Sequence, residues 1–241
     1  MHHLLSHSLR LLPCLLLIAA VTGQSGGTDP SADLRSKSVD TRLTAIDAIG
    51  ASDRADADRL LLPLLSDKDW EIQERAAAAL GKLKAKTALK PLIDLALDGD
   101  VVRIRQSAAR AAAAIDAVEA GTAILKKAKG KNQVLALEAL AITNRNQPAL
   151  AGADKLEKLL RDKEAPMREA AAVAWLECHT DRGGALKTLL AEPFLVVRCR
   201  ALDAVAAAPR QEDREPLRTL LGGSGAENDV VEQLLLRAGT Y

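Results

Sequence analysis

A chain of 241 residues that is 48% hydrophobic and 27% charged has the apolar material for a sizeable core and enough charge to stay in solution. Its net charge is +1, and Arg10 is the surplus cation, so residues 24–241 carry 32 charges of each sign. That balance excludes nucleic-acid binding, which rests on many phosphate contacts. Two Trp, one Tyr and one Phe leave the core to Ala, Leu, Val and Ile, a composition that favours closely approaching helices over strands.

The first segment reads as a leader. One cation and no acid precede the apolar run Leu11 to Val21, and Val21-Thr22-Gly23 supplies small residues for cleavage. This is the layout of a secretory signal peptide over residues 1–23. A retained anchor is the competing reading, but a span takes about 20 apolar residues, and this run has 11 and includes Pro13. Cys14 lies early in the run and not behind a small-residue lipidation site. An exported chain, periplasmic or secreted, is expected, with no membrane span in its mature part.

Residues 24–32 read as a polar linker. From residue 33 to 221 one pattern recurs. Its first element is a small-residue helix anchored at Ala45, Ala76, Ala108, Ala136, Ala171 and Ala201, at successive spacings of 31, 32, 28, 35 and 30. Around the anchors apolar residues keep a helical period, as in Ile72, Ala76, Ala79, Leu80 and Leu83. The second element reads Leu-x-x-Leu-Leu. It appears as Leu61, Leu64, Leu65, as Leu156, Leu159, Leu160, as Leu186, Leu189, Leu190 and as Leu217, Leu220, Leu221, with looser copies at Leu92 and Gly121. Pro91 and Pro216 stand in first turns, where a missing N–H costs no intrahelical bond. Two helices per thirty-odd residues, six times over, predict an all-α chain. The expected form is a right-handed α-solenoid of about six helical hairpins, each sheltering its neighbour's apolar stripe. After Gly222-Gly223-Ser224-Gly225, a short helix at Val230 to Arg237 is expected to cap the last repeat, making 222–241 a C-terminal cap.

The Ala-x-x-Ala-[Leu/Ile]-Gly signature, carried by Ala45-x-x-Ala48-Ile49-Gly50 and Ala76-x-x-Ala79-Leu80-Gly81, resembles the phycobilisome-lyase type of short HEAT repeat. The resemblance covers residues 33–221. It implies that a first-helix Arg or Gln, here Arg42, Gln73, Arg105, Gln133, Arg168 and Arg198, makes intramolecular bonds within the stack. It implies a fold and is almost silent on function.

Catalytic chemistry finds few parts. Families of this kind include bilin lyase subunits and deoxyhypusine hydroxylase, whose di-iron site uses paired His-Glu dipeptides; no His-Glu dipeptide occurs in this sequence. His179 is the only histidine after the leader, so a multi-His metal site cannot be assembled from this chain. Cys178-His179 lacks the earlier cysteine of a haem-attachment motif, and adjacent helical residues point about 100° apart, so it is read as an interior thiol beside a solvated histidine. Cys178 and Cys199 lie nine positions out of register, or about 13 Å, beyond the ~7 Å a disulfide bridges; two free thiols are expected. No cofactor and no metal are expected.

Residues 82–131 carry 11 basic and 5 acidic groups. The lysines fall into two sets, Lys82 to Lys90 at a turn within a repeat and Lys126, Lys127, Lys129 and Lys131 at the turn between repeats. The second set is a candidate patch for an acidic partner, set against a merely solvated edge. Trp175 takes a core position of its repeat, whereas Trp70, in the opening turn of its helix, is a candidate contact for a partner. The resulting expectation is a monomeric, non-catalytic scaffold whose second helices form a concave groove for a protein or peptide. The alternative is a lyase-like or oxidoreductase-associated enzyme subunit.

Overall fold

The computed structural model describes residues 29–127, 130–145 and 153–221; the leader and the C-terminal cap expected from the sequence lie outside them. Eleven helices occupy the described residues, and no strand occurs among them. They are α1 (Val39–Gly50), α2 (Ala57–Leu61), α3 (Trp70–Lys82), α4 (Leu89–Asp98), α5 (Val102–Lys127), α6 (Gln133–Asn144), α7 (Ala153–Leu159), α8 (Ala165–Cys178), α9 (Arg182–Ala191), α10 (Leu195–Ala207) and α11 (Arg214–Leu221).

The helices begin where side chains can take up free N–H groups. The Ser38 hydroxyl accepts from Thr41 N at the start of α1, the Asp69 carboxylate from Glu71 N before α3, and Asp181 from Gly184 N before α9. Asp116 does the same inside α5. Its backbone leaves the helical region (φ −159°, ψ 100°) and its carboxylate accepts from Glu119 N at 2.9 Å, so α5 is two helices joined at a kink. With that division the described residues contain six helical pairs, as the spacing of the alanine anchors predicts. The first pair is irregular because Pro63 interrupts its second helix, which becomes α2 followed by a 3-10 turn at Leu62–Ser66.

The first helices α1, α3, the first half of α5, α6, α8 and α10 pack successively in a row, with the second helices against them. All six anchor alanines are buried, and so are Leu61, Leu92, Ile124, Leu156, Leu186 and Leu217 from the second helices. Trp175 is buried as expected and Trp70 is exposed. Burial of one such leucine is worth about 1.5–3 kcal/mol. Because each stripe is covered by the adjoining pair, that stabilisation is shared along the row.

Two glycines show how closely first helices approach. A Cβ on Gly50 would lie 2.8 Å from Ala79 Cβ, and one on Gly81 would lie 2.8 Å from Ala111 Cα. The fifth residue after one anchor therefore presses on the third residue after the next. At the end of α3, Lys84 takes a left-handed conformation (φ 52°) that a glycine would adopt without Cβ crowding.

The implied clamp residues act alike. Arg42 donates to the Ser36 carbonyl at 2.9 Å, Gln73 to Asp67 at 2.5 Å, and Arg105 to Gly99 at 2.8 Å. Arg168 donates to Asp162 at 2.7 Å and Arg198 to Glu192 at 2.9 Å. Each reaches six residues back to a carbonyl of the turn that precedes its own helix. The turn between repeats is thereby tied to the next first helix. Gln133 makes no such bond among the described residues.

The N-terminal end of the row is covered. Asp33–Arg35 forms a 3-10 turn that buries Leu34 against the core. Just before it, the Ser31 hydroxyl and amide and the Arg54 guanidinium hold the Asp29 carboxyl down to about 2.

Candidate docking surface

Trp70 opens α3 on the outer side of the first helices, 40% exposed, with the Arg103 guanidinium 5.4 Å from its ring centre. Arg103 also donates to Glu74 at 2.9 Å, and one helix further along Arg75 pairs with Asp47 at 2.8 Å. Leu43, Ala78 and Ser107 complete a shallow cleft of about 530 Å³ there. Exposed aromatic and arginine side chains are the residue types that most often dominate protein interfaces.

The lysines lie elsewhere. Lys126 and Lys127 end α5 and are both exposed, and Lys127 pairs with Asp94 of α4. Lys129 lies outside the described residues, and so does the side chain of Lys131. The sequence separates the earlier lysines from this set as opposite edges of the stack. The structure places Lys86, Lys90 and Lys127 on one groove. Between α4 and the second half of α5 runs a cleft of about 520 Å³ whose floor includes Leu89, Ile93 and Ile115. Lys86 and Lys90 line it at one end and Lys127 at the other, with Asp116 and Glu119 on the facing wall. Lys86 and Lys90 are exposed and make no ion pair among the described residues. Trp70 is not part of this groove.

A second groove, of about 330 Å³, crosses the first helices, with Val102, Leu135, Ile142 and Val173 along it and Glu138, Arg145 and Arg200 among its polar lining. Arg200 is engaged by Glu169 at 3.7 Å and by Asp203 at 3.6 Å.

Behind Arg145 lies a charged cluster that sequence reasoning passed over. Glu177, Arg182 and Asp213 are almost completely buried. Arg182 lies 3.2 Å from Glu177 and 2.8 Å from Asp213, and Arg210 donates to Glu177 at 2.8 Å and to the Arg145 carbonyl. The Asp213 carboxylate also accepts from Arg210 N at 2.9 Å. These residues come from three successive repeats, so the cluster ties the last three pairs together where their helices turn. Its only sequence signal is Glu177 at a position in α8 flanked by buried residues, next to the Cys178-His179 pair.

Cys178 is buried at the end of α8, where Asn144 Nδ2 donates to its sulfur at 2.6 Å. Burial pushes the thiol up to about 11, with the neighbouring Glu177 charge acting in the same direction and the Asn144 bond against it. His179 differs from the expected solvated side chain. Its ring rests on Trp175 with centroids 4.0 Å apart, which leaves it half-buried. Cys199 is exposed, and both cysteines are free. Among the described residues no group of His, Cys, Asp and Glu is arranged to hold a metal, and no helix is long and apolar enough to cross a membrane.

This architecture defines a class, the α-solenoid of HEAT-type helical pairs. In agreement, residues 32–113 match the family model for HEAT repeats. Among solved structures the chain is similar to the complex of CpcE and CpcF of phycocyanin lyase from Nostoc sp., at 20% identity and a TM-score of 0.48 over 96% of this chain and 100% of that one. It is similar to the YibA protein of E. coli at 17% identity and a TM-score of 0.42, over 88% and 92% of the two chains. It is similar to human deoxyhypusine hydroxylase bound to glycerol at 16% identity and a TM-score of 0.38, over 87% and 93%. These likenesses concern the fold alone. No curated protein is significantly similar in sequence.

Proposed function

We propose that the chain is an exported, non-catalytic HEAT-repeat scaffold that binds a protein or peptide partner along its second helices, the surface expected to be concave. The observation that carries this reading is the groove between α4 and the second half of α5, where an apolar floor is edged by the uncommitted lysines Lys86 and Lys90. Such a groove suits an extended or helical segment with one apolar face and acidic flanks, because burial of the face supplies affinity and the lysines set register. Periodic stacking keeps the walls rigid, so little order has to be gained on binding. The apolar run of residues 11–21 supports export.

The test is a photo-crosslinking residue placed at Lys90, or at Lys163 as a control on a turn between repeats, in the protein expressed in its own cells. The expected result is one dominant protein adduct from position 90, absent from position 163 and suppressed by Lys86→Glu. Adducts insensitive to the charge reversal would refute the groove. Turnover of a small substrate by the purified chain would refute the non-catalytic reading.

A further inference from the structure

Ion pairs lace the outer side of the first helices toward both ends of the row. Arg75, one residue before its anchor alanine, reaches Asp47, two residues after the preceding anchor, at 2.8 Å. Arg103 donates to Glu74 at 2.9 Å, and at the far end Arg200, again one before its anchor, lies 3.7 Å from Glu169 and 3.6 Å from Asp203. In the middle of the row the lacing lapses. Between the first half of α5 and α6 no such pair occurs among the described residues, and between α6 and α8 there is only the 4.0 Å approach of Arg145 to Glu177. Leu135 stands where Arg75 and Arg200 stand in their repeats, and Val173 stands where Asp47 and Asp203 do. With Val102 and Ile142 they give an aliphatic floor to the groove of about 330 Å³ that crosses α5, α6 and α8. Exchanging ladder charges for aliphatic side chains that water can reach weakens the stack, and such a break in a local rule marks a surface with another use.

The charges around this floor are unbalanced. Arg105, Arg145 and Arg200 line the groove against one carboxylate, Glu138. Arg105 bonds to the Gly99 carbonyl and to no carboxylate. Arg145 is the third and most distant cation on Glu177, after Arg210 at 2.8 Å and Arg182 at 3.2 Å. Arg200 meets its two carboxylates beyond hydrogen-bond distance, and its Nε is shielded from water without an acceptor among the described residues. Glu169, Asp203 and Glu177 are not part of the groove lining, so the lining itself is net positive. We propose that this groove binds an aliphatic carboxylate, its tail along Val102, Leu135, Ile142 and Val173 and its head group held by the rim arginines Arg145 and Arg200. A guanidinium matches a carboxylate with two parallel hydrogen bonds, burial of the tail supplies affinity, and the volume is that of a small-ligand site. The site shares no lining residue with the lysine groove and does not depend on it.

The test is calorimetric titration of sodium laurate, below its micelle concentration, into the purified full chain at neutral pH. One saturable site with a dissociation constant below about 1 mM is expected. Octanoate and dodecanol should each bind at least about tenfold more weakly, the first for want of tail and the second for want of charge. Arg145→Gln with Arg200→Gln should weaken laurate at least about tenfold with unchanged circular dichroism, and Val173→Asp should do the same from the floor. Lys86→Glu with Lys90→Glu should leave laurate binding as it is. Absence of a saturable site overturns the proposal, and so does an affinity indifferent to tail length, which the native chain alone decides if a variant fails to fold. Affinity kept in the arginine variant and lost in the lysine variant would move the site to the other groove and equally overturn it. Self-association that only Val173→Asp disperses, with no laurate bound, would give the face to a second copy of the chain and end the proposal.

Discussion

Replacing Glu177 by Gln keeps the shape of a buried side chain and removes one charge from the cluster that joins the last three repeats. In the native chain Arg182 is shared between two carboxylates, Glu177 at 3.2 Å and Asp213 at 2.8 Å, while Arg210 leans on Glu177 at 2.8 Å. After the substitution Arg182 keeps only Asp213, the Arg210 guanidinium loses its charged partner, and Arg182 is only 3% exposed, so water cannot take over there. Breaking a buried pair from one side costs about 3–5 kcal/mol, a large part of the ~5–15 kcal/mol that holds a domain together. At roughly 2–4 °C per kcal/mol for a chain of this length, the melting temperature should fall by about 6–20 °C. Urea and thermal unfolding followed by far-ultraviolet circular dichroism measure this, and hydrogen exchange should place the weakening in α8 to α11. Replacing Glu177 and Arg182 together by Met should recover part of the loss, since no buried charge is then abandoned. A loss below about 1 kcal/mol for Glu177→Gln would refute the view of the cluster as a pin.

Four further outcomes follow from the same geometry. Gly81→Val should destabilise by about 1–3 kcal/mol, because its Cβ would meet the α5 backbone at Ala111, and urea unfolding reads it. Lys84→Gly, at a left-handed position in the turn after α3, should stabilise by up to about 1 kcal/mol in the same assay. The Cys178 thiol, raised from 9.0 to about 11 in the folded chain, favours folding at pH values below 9; that contribution should be lost between pH 9 and 11, where the unfolded chain releases the proton more readily. Stability measured across that window should drop in the native chain and much less in Cys178→Ala, and Ellman's reagent at pH 8 should count only Cys199 in the folded protein of residues 24–241. Trp70→Ala should change stability by less than about 1 kcal/mol, because the exposed ring packs mainly on Arg103.

The alanine anchors and the leucine triplets made the six pairs legible, because a stacked fold repeats its burial pattern in the sequence. Local chemistry was partly legible: Pro91 and Pro216 stand in first turns, but Pro63 also splits the second helix of the first pair, and the separate elements read at Ala108 and Gly121 meet at Asp116 in a kink with no intervening loop. That Arg42, Arg105 and Arg168 bond within the stack came from the family resemblance, while the carbonyl each one reaches, six residues back, came only from the structure. The charged cluster was not legible. Arg145, Glu177, Arg182, Arg210 and Asp213 share no period, and only the stacking of three turns shows that they meet. The groove was illegible for a similar reason: Lys86 and Lys127 are 41 positions apart, and the parallel course of two second helices is what puts both on its rim.

Small-angle X-ray scattering of residues 24–241 bears most directly on the open row of mutually sheltering pairs. Six pairs stacked at about 9–10 Å per step extend some 50–60 Å, so the radius of gyration should lie near 20 Å, with a pair-distance distribution skewed to long vectors. A value near 17 Å with a symmetric distribution, as for a compact domain of this length, would contradict the account.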